Sequence, residues 1–421
     1  MEKFLEFVKK YKRYVIAGCI VLLIVSYYFY QRSFGYFAPM SLKGILPEGR
    51  NITGLYKTGD FYTLIDDFNE IYAINIDKNF KVSLIEKNIN KKAGFPIIRT
   101  PLTKNMDISF AKTNYIVTKA QLDNGNIAFV YIDISGRLTI YIYNPISKKI
   151  INQYKSNIIR DESSSGPTIL VLNKGDFLLS SLTKNGNGVK RYVERYDYSK
   201  NSLNLISNES VYFVHEVLKY SDGKYLIQMG YDEESRHGII FEPENNKFTR
   251  VSTDFIKNEV DQDINNYRIK CDKLKYLKQD TFLVSCSQDS SEGEYIAQFS
   301  YDPKTKEFKY LPKKTTYIKM FAPLKPIIFY GLSEDWIWLS ENEYLFLSGA
   351  DCFLIACKPS KRAYIYNAEK KKIKKIKNLI VPYYSRYQIP VLCEGKLKID
   401  SNHIIFFVDN KLQVFKRSRV W

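Results

Sequence analysis

GNIAFVYIDISGRLTIYIYNPISKKI, residues 125–150, carries the pattern that decides the fold. Its first part, Gly125-Asn-Ile-Ala-Phe-Val-Tyr131, is a turn followed by an apolar strand. Gly, Asn and Asp at such a turn tolerate the left-handed backbone that a tight hairpin needs. Its second part, Tyr141-Ile-Tyr-Asn-Pro-Ile-Ser-Lys-Lys-Ile150, is an alternating strand, a polar turn and a further strand. Proline after Asn pre-sets the dihedral of the turn's first central residue.

Both parts recur along the chain. The first returns as Gly59-Asp-Phe-Tyr-Thr-Leu-Ile65, Gly175-Asp-Phe-Leu-Leu179, Gly223-Lys-Tyr-Leu-Ile227, Asp280-Thr-Phe-Leu-Val284, Asn342-Glu-Tyr-Leu-Phe346 and Asn402-His-Ile-Ile-Phe-Phe407. The second returns around Phe241-Glu-Pro, Tyr301-Asp-Pro and Tyr364-Ile-Tyr-Asn-Ala, with weaker copies near residues 74–80 and 196–203. Turn positions 59, 125, 175, 223, 280, 342 and 402 lie 66, 50, 48, 57, 62 and 60 residues apart. Repeats of that length with four short strands each predict an all-β chain folded as a β-propeller of seven blades, with six as the alternative. The last repeat ends one strand short. Residues 36–48 are therefore expected to supply the missing outermost strand and close the ring, because an open propeller would expose long unpaired edges.

The two-part phrase resembles the Kelch repeat of the galactose-oxidase central domain, over residues 40–417. In that family an L-x-x-G-x-hydrophobic strand precedes a Y-D-P-x-T-x-x-W turn. Here the double glycine is absent, with Met229-Gly230 and Ser348-Gly349 in its place, and Phe248, Phe308 or Ile replaces the tryptophan. The resemblance implies a β-propeller, read here as a binding or assembly module. It also admits sugar-active enzymes, of which a mutarotase for a sialic-acid-like sugar needs only arginines and acids. A copper oxidase of the same kind needs histidine, and the chain has only three.

Upstream of the repeats, residues 14–30 read YVIAGCIVLLIVSYYFY, without a charge. A helix of that length is about 25 Å long, near the lower limit for a bilayer span. Lys3, Lys9, Lys10, Lys12 and Arg13 precede it, against Arg32 and Lys43 just after. The excess of positive charge predicts a cytoplasmic tail at 1–13, a signal anchor at 14–30 and an extracytoplasmic propeller at 36–421. A cleaved signal peptide would need a small-x-small site after the run, and a lipoprotein would need the apolar stretch before Cys19. Neither is present. The expected location is the inner or plasma membrane, with the propeller in the periplasm or outside the cell.

The 421 residues carry 63 Lys plus Arg against 45 Asp plus Glu, a formal charge of +18. The 34 Tyr and 26 Phe suit pleated strands. Lysines of residues 370–377 fit a guarded blade edge rather than a nucleic-acid site, and the topology keeps them outside the cytoplasm. No nucleic-acid partner is expected; a basic ectodomain meets anionic glycan, lipid head groups or an acidic protein.

Five cysteines follow the anchor: 271, 286, 352, 357 and 393. Cys271 and Cys286 flank a hairpin turn symmetrically, within reach of a cross-strand bridge. Cys352 and Cys357 can pair with each other or with Cys393. His215, His237 and His403 lie outside ligand spacing of any cysteine pair, so no metal and no cofactor is expected. Asp261-x-Asp263-x-Asn265 opens like a calcium loop, but Asn266 stands where that loop requires glycine. Asn51-Ile-Thr53 and Asn208-Glu-Ser210 are sequons with meaning only in a eukaryote.

No nucleophile elbow, zincin motif, phosphate loop or dinucleotide fingerprint occurs. The one pattern pointing to a ligand is Arg50, Arg99, Arg160, Arg268 and Arg386, each in a segment joining one repeat to the next. Converging on the channel mouth, they would grip a carboxylate or phosphate. Tyr383 and Tyr384 would add stacking surface. The competing expectation is that such arginines pair with local acids. The sequence thus favours a membrane-anchored binding or assembly module for an envelope protein or anionic glycan, with the sugar mutarotase as the alternative.

Overall fold

The structure is a computed structural model that describes residues 11–31, 34–95, 115–132, 136–159, 168–185, 188–207, 213–219, 224–230, 236–252, 269–278, 281–288, 293–302, 304–305, 307–311, 316–319, 327–329, 332–340, 342–348, 350–353, 356–359, 363–370, 372–376, 395–408 and 411–418. A 20-residue helix, Lys12–Gln31, comes first. Strand β1 (Gly35–Met40) follows almost at once. After it the turn-strand phrase folds as antiparallel sheets with their strands in chain order. The first sheet is β2 (Ile52–Thr58), β3 (Phe61–Asp66), β4 (Ile71–Ile76) and β5 (Val82–Glu86). The second is β6 (Tyr115–Gln121), β7 (Ile127–Ile132), β8 (Arg137–Asn144) and β9 (Lys149–Ile159). Gly59, Gly125 and Gly175 each take a positive φ at the hairpin that opens the phrase, as the pattern requires.

Four-strand sheets at 168–207, 213–252 and 332–376 continue the series, and the sheet at 269–310 gains a fifth strand, Thr316–Lys319. Within 332–376 a hairpin, Ala350–Phe353 and Ala356–Pro359, is inserted between the second and third strands and pairs with Ile327–Phe329. The lysine-rich strand Lys372–Ile376 is the last of its sheet.

Packing between sheets explains the all-round apolar strands. Ile65, Ile71 and Ala73 of the first sheet pack on Ile127, Phe129 and Tyr143 of the second. Ala128, Val130 and Ile140 present the other face of the second sheet to Phe177, Leu179 and Tyr196 of the third. A strand buried on both faces has no polar side to alternate, which is why Ile127–Ile132 is buried throughout.

The last sheet receives its outer strand from the start of the chain. Its order is β1, Lys411–Arg417, His403–Val408, Gly395–Lys398. β1 pairs antiparallel with Lys411–Arg417, from Gly35 opposite Arg417 to Met40 opposite Leu412. One face of this closing sheet packs on the sheet before it, Phe37, Phe406 and Phe415 against Leu339, Leu345 and Ile365. Its other face packs on the first sheet, Ile405, Phe407 and Val414 against Leu55, Leu64 and Ile74. The ring is therefore shut by residues 35–40, a shorter strand than the 36–48 expected. Beyond Met40 the chain turns inward, and Leu42 and Ile45 are buried against the first sheet.

The helix Lys12–Gln31 is exposed along its described apolar stretch. Residues 20–25, which between them point around its whole circumference, are 43% to 70% exposed. Among the described residues no helix is long and apolar enough to cross a membrane; the described side chains of this one stop at Tyr28.

Candidate functional site

Adjacent sheets meet along their first strands, β2 against Gly395–Lys398 and β6 against Thr168–Val171. These first strands form the inner wall of the ring. The turn between β3 and β4 lies beside the segment leading into β2. Asp66 organises it: its Oδ1 accepts the backbone N–H of Phe68 at 2.9 Å and of Glu70 at 2.8 Å. Asn69 occupies the left-handed region at φ 57°, which asparagine tolerates.

Arg50, one of the arginines singled out from the sequence, reaches this turn. Its Nη1 lies 3.1 Å from Asp66 Oδ2, and its guanidinium sits 3.5 Å from the centre of the Phe68 ring. It thus meets the competing expectation of a local acid. The Tyr72 hydroxyl lies 3.1 Å from Asp66 Oδ2 and 2.8 Å from Glu70 Oε2, so one proton faces two carboxylates. Burial pushes Asp66 up to about 6, against the lowering effect of the Glu70 and Phe68 N–H groups, Arg50 and Tyr72. The same burial raises Tyr72. Arg99, Arg160, Arg268, Arg386, Tyr383 and Tyr384 lie outside the described residues.

Next to Asp66 is a polar group that the sequence did not single out. Asp67 takes an Asn51 Nδ2 hydrogen bond on Oδ2 at 3.0 Å, and its N–H donates to the Asn51 carbonyl at 2.9 Å. From β6, Lys119 Nζ donates to Thr53 Oγ1 at 2.6 Å and lies 3.5 Å from Asn69 Oδ1. Asp67 Oδ1 and Asn69 Nδ2 are buried without a protein partner. Buried polar atoms are nearly always satisfied, so an acceptor and a donor without a protein partner on one turn are the kind of pair that an ordered water bridges. In the sequence, Asp66-Asp67-Phe68-Asn69 reads only as a turn, and Lys119 is one of many lysines. Their meeting depends on the contact between sheets.

A second concavity of about 390 Å³ is lined by Ile169, Leu170, Val171 and Leu172, with Asp123, Asn173 and Tyr225 as its polar members. Among the described residues its lining has no cation, and both Asp123 oxygens accept backbone N–H groups of Lys174 and Gly175 at 2.6 Å. That contact ties the second sheet to the third. Such ties recur at the polar residue of the turn phrase. Asn126 Nδ2 donates to Tyr198 of the next sheet at 3.0 Å, and Glu343 pairs with Arg417 of the closing sheet at 2.6 Å. Asp176 holds Arg195 at 2.7 Å, and Arg195 in turn donates to the Pro243 carbonyl and to Asn246 of the following sheet. The residue that shapes each hairpin also fastens its neighbour. Among the described residues no cluster of His, Cys, Asp and Glu is arranged to hold a metal ion.

The cysteines flagged in the sequence are placed by their backbones. Cys271 stands directly opposite Cys286, between Ile269–Lys278 and Thr281–Gln288. Cys352 stands opposite Cys357 in the inserted hairpin. Cys393 lies outside the described residues.

The fold is that of a β-propeller. A solved structure of an oligogalacturonate lyase in complex with manganese is similar at a TM-score of 0.52 and 10% identity, over 87% of this chain and 89% of that one. The WD40 domain of SCAP from fission yeast matches at a TM-score of 0.39 and 9% identity, over 89% and 86% of the two chains. No protein-family model and no curated protein sequence matches.

Proposed function

We propose that this protein is a Kelch-type propeller of seven blades, held at a membrane by its N-terminal helix and serving as a glycan-binding module of the cell envelope. The observation that carries the anchoring is the helix Lys12–Gln31. Its apolar side chains are exposed on every side while those of the sheets are buried. An apolar surface of that extent needs a cover, and one that encircles a helix is lipid. Gln31 is four residues from Gly35, so the tether runs into the strand that shuts the ring. The basic tail upstream favours a cytoplasmic N-terminus and an extracytoplasmic propeller.

Glycan is the favoured ligand because a sugar hydroxyl both donates and accepts, which suits a rim that mixes the guanidinium of Arg50 with the carboxylates of Asp66 and Glu70 and the hydroxyl of Tyr72. Arg50 is paired with Asp66, and Lys119 with Thr53 and Asn69, so this rim reads hydroxyls rather than net charge. An anionic group on the same glycan falls to the arginines of the other junctions.

Two measurements test this. The full chain should stay in the membrane pellet through an alkaline carbonate wash, and deletion of 14–30 should release it; extraction of the intact chain by carbonate would remove the anchor. On an array of neutral and uronic- or sialic-acid glycans, the detergent-solubilised chain should bind. Asn69→Asp, which turns the open donor into an acceptor, should weaken binding about tenfold, the loss of roughly one hydrogen bond. Unchanged affinity in that variant would rule out the rim, and a silent array would favour a protein partner.

A further inference from the structure

From the backbone register we infer that the propeller carries two cross-strand disulfides, Cys271–Cys286 and Cys352–Cys357, with Cys393 left as the odd thiol. Two pairs of cysteines are directly opposed in antiparallel ladders, where Cα atoms stand about 4.5 to 5.5 Å apart and the two residues share one face of the sheet. A disulfide is ordinarily built across a Cα separation of about 4.4 to 6.8 Å. The second pair lies in an unbroken register and needs no backbone movement to close; the first is directly opposed but stands next to a register shift between Cys271 and Lys273.

The second pair is the more telling, because the sequence left three pairings open among Cys352, Cys357 and Cys393. Ala350–Phe353 and Ala356–Pro359 form a hairpin with a two-residue connection, and Phe353 opposite Ala356 is the pair that flanks it. In such a hairpin the flanking pair exchanges the backbone hydrogen bonds, which makes the next pair, Cys352 and Cys357, the closely spaced kind without them. Only four residues intervene, so closing this loop costs far less chain entropy than reaching residue 393. The first pair ties two strands of a four-strand path, and the second pins the hairpin inserted between strands Glu343–Ser348 and Ala363–Asn367. Each bridge forms as two thiols give up two protons and two electrons to a disulfide oxidant, which leaves as two thiols. Outside the cytoplasm such oxidants are available, and in the cytoplasm thiols are kept reduced. The inference deepens the extracytoplasmic placement proposed above, but the register stands without it.

The test is in two arms. In the first, the full chain, purified in detergent under reducing conditions, is equilibrated with reduced and oxidised glutathione, alkylated, and digested without reduction for mass mapping. Linked peptides 271–286 and 352–357 are expected, with two alkylatable thiols after denaturation out of the six cysteines. Any bridge to Cys393, an exchange between the two pairs, or six free thiols would overturn the pairing. In the second arm, cells are quenched in acid and alkylated before lysis. Closure in glutathione with open thiols in the cell would overturn the extracytoplasmic location and leave the pairing standing.

Discussion

A chain lacking residues 34–40 is expected to lose its cooperative unfolding transition and to aggregate at concentrations where the intact chain is monodisperse. The reason is the place of β1 in the ring. It pairs along its whole length with Lys411–Arg417, and it buries Phe37 and Met40 in two different interfaces. Phe37 packs 5.2 Å from Phe415 and 5.7 Å from Phe406, on the side of the preceding sheet. Met40 faces the first sheet. Burying two such side chains is worth about 3 to 6 kcal/mol, comparable with the whole net stability of an ordinary domain. The deletion also bares the edge of Lys411–Arg417, a ready template for another chain. Size-exclusion chromatography with thermal denaturation reads both effects, and a monomeric truncation that melts within a few degrees of the intact chain would show that closure lies elsewhere. Gly35→Ala is the graded form of the same experiment. Its added Cβ would lie 2.6 Å from the Phe415 ring and 2.9 Å from the Lys416 carbonyl, at a φ of +157° that L residues seldom adopt. Phe415 is fully buried and cannot step aside, so about 1 to 3 kcal/mol should be lost with the ring still closed.

Arg417→Ala is expected to destabilise the protein by about 3 to 5 kcal/mol, the loss typical when one member of a buried ion pair is removed. Arg417 Nη2 lies 2.6 Å from Glu343 Oε2, and the side chains are 2% and 5% exposed. Glu343 also accepts the Ser340 hydroxyl at 2.7 Å. Burial pushes the Glu343 carboxyl up, but Arg417 and Ser340 outweigh it and hold the group below the usual carboxylate range. A depressed folded pKa contributes stability that is complete above the unfolded value, about 4.3, and is lost as the pH falls through the folded one. The deficit of Glu343→Gln relative to the parent chain should therefore be largest near neutrality and close on acidification. The double change Glu343→Leu with Arg417→Met should recover much of the loss of either single variant, because no charge is then stranded. Denaturant midpoints at pH 7 and pH 3 decide it: a deficit in Glu343→Gln that does not shrink with acid would mean that the pair is not what fastens these sheets.

Much of the architecture was legible in the chain. Gly59, Gly125 and Gly175 mark hairpins because few other residues accept their φ, and a turn with that requirement looks the same wherever it occurs. Ile127–Ile132 and Phe177-Leu-Leu179 read as strands because β-branched and aromatic residues fit a pleated surface. The missing strand of the last repeat followed from counting, since an odd edge in a closed ring has to be filled. Its limits did not follow: residues 36–40 are strand, while 41–48 leave the sheet and bury Leu42 and Ile45.

The candidate site was legible only at Arg50. A junction arginine is visible as a residue between two repeats, but whether it faces a ligand or a neighbour depends on what the next loop brings. Here the loop brings Asp66 and Phe68. Thr53, Asp67, Asn69 and Lys119 carry no pattern, because they come from two strands and a turn and are joined by a contact 50 to 66 residues long in sequence.

The sequence by itself determined the local events: where the chain turns, which stretches are extended, how many strands each repeat can offer, and that an uncharged stretch precedes them. Each follows from dihedral preferences and apolar periodicity over a few residues. Only the tertiary structure decided which polar residues meet. Asn126, Asp176 and Glu343 occupy the same place in the phrase, and each reaches the following sheet by a different route: Asn126 to Tyr198, Glu343 to Arg417, and Asp176 through Arg195 of its own sheet to Asn246. The same holds for the opposed cysteines, and for the open acceptor and donor at the rim. Those encounters are fixed by register and by the packing of one sheet on the next, which no short-range signal in the chain records.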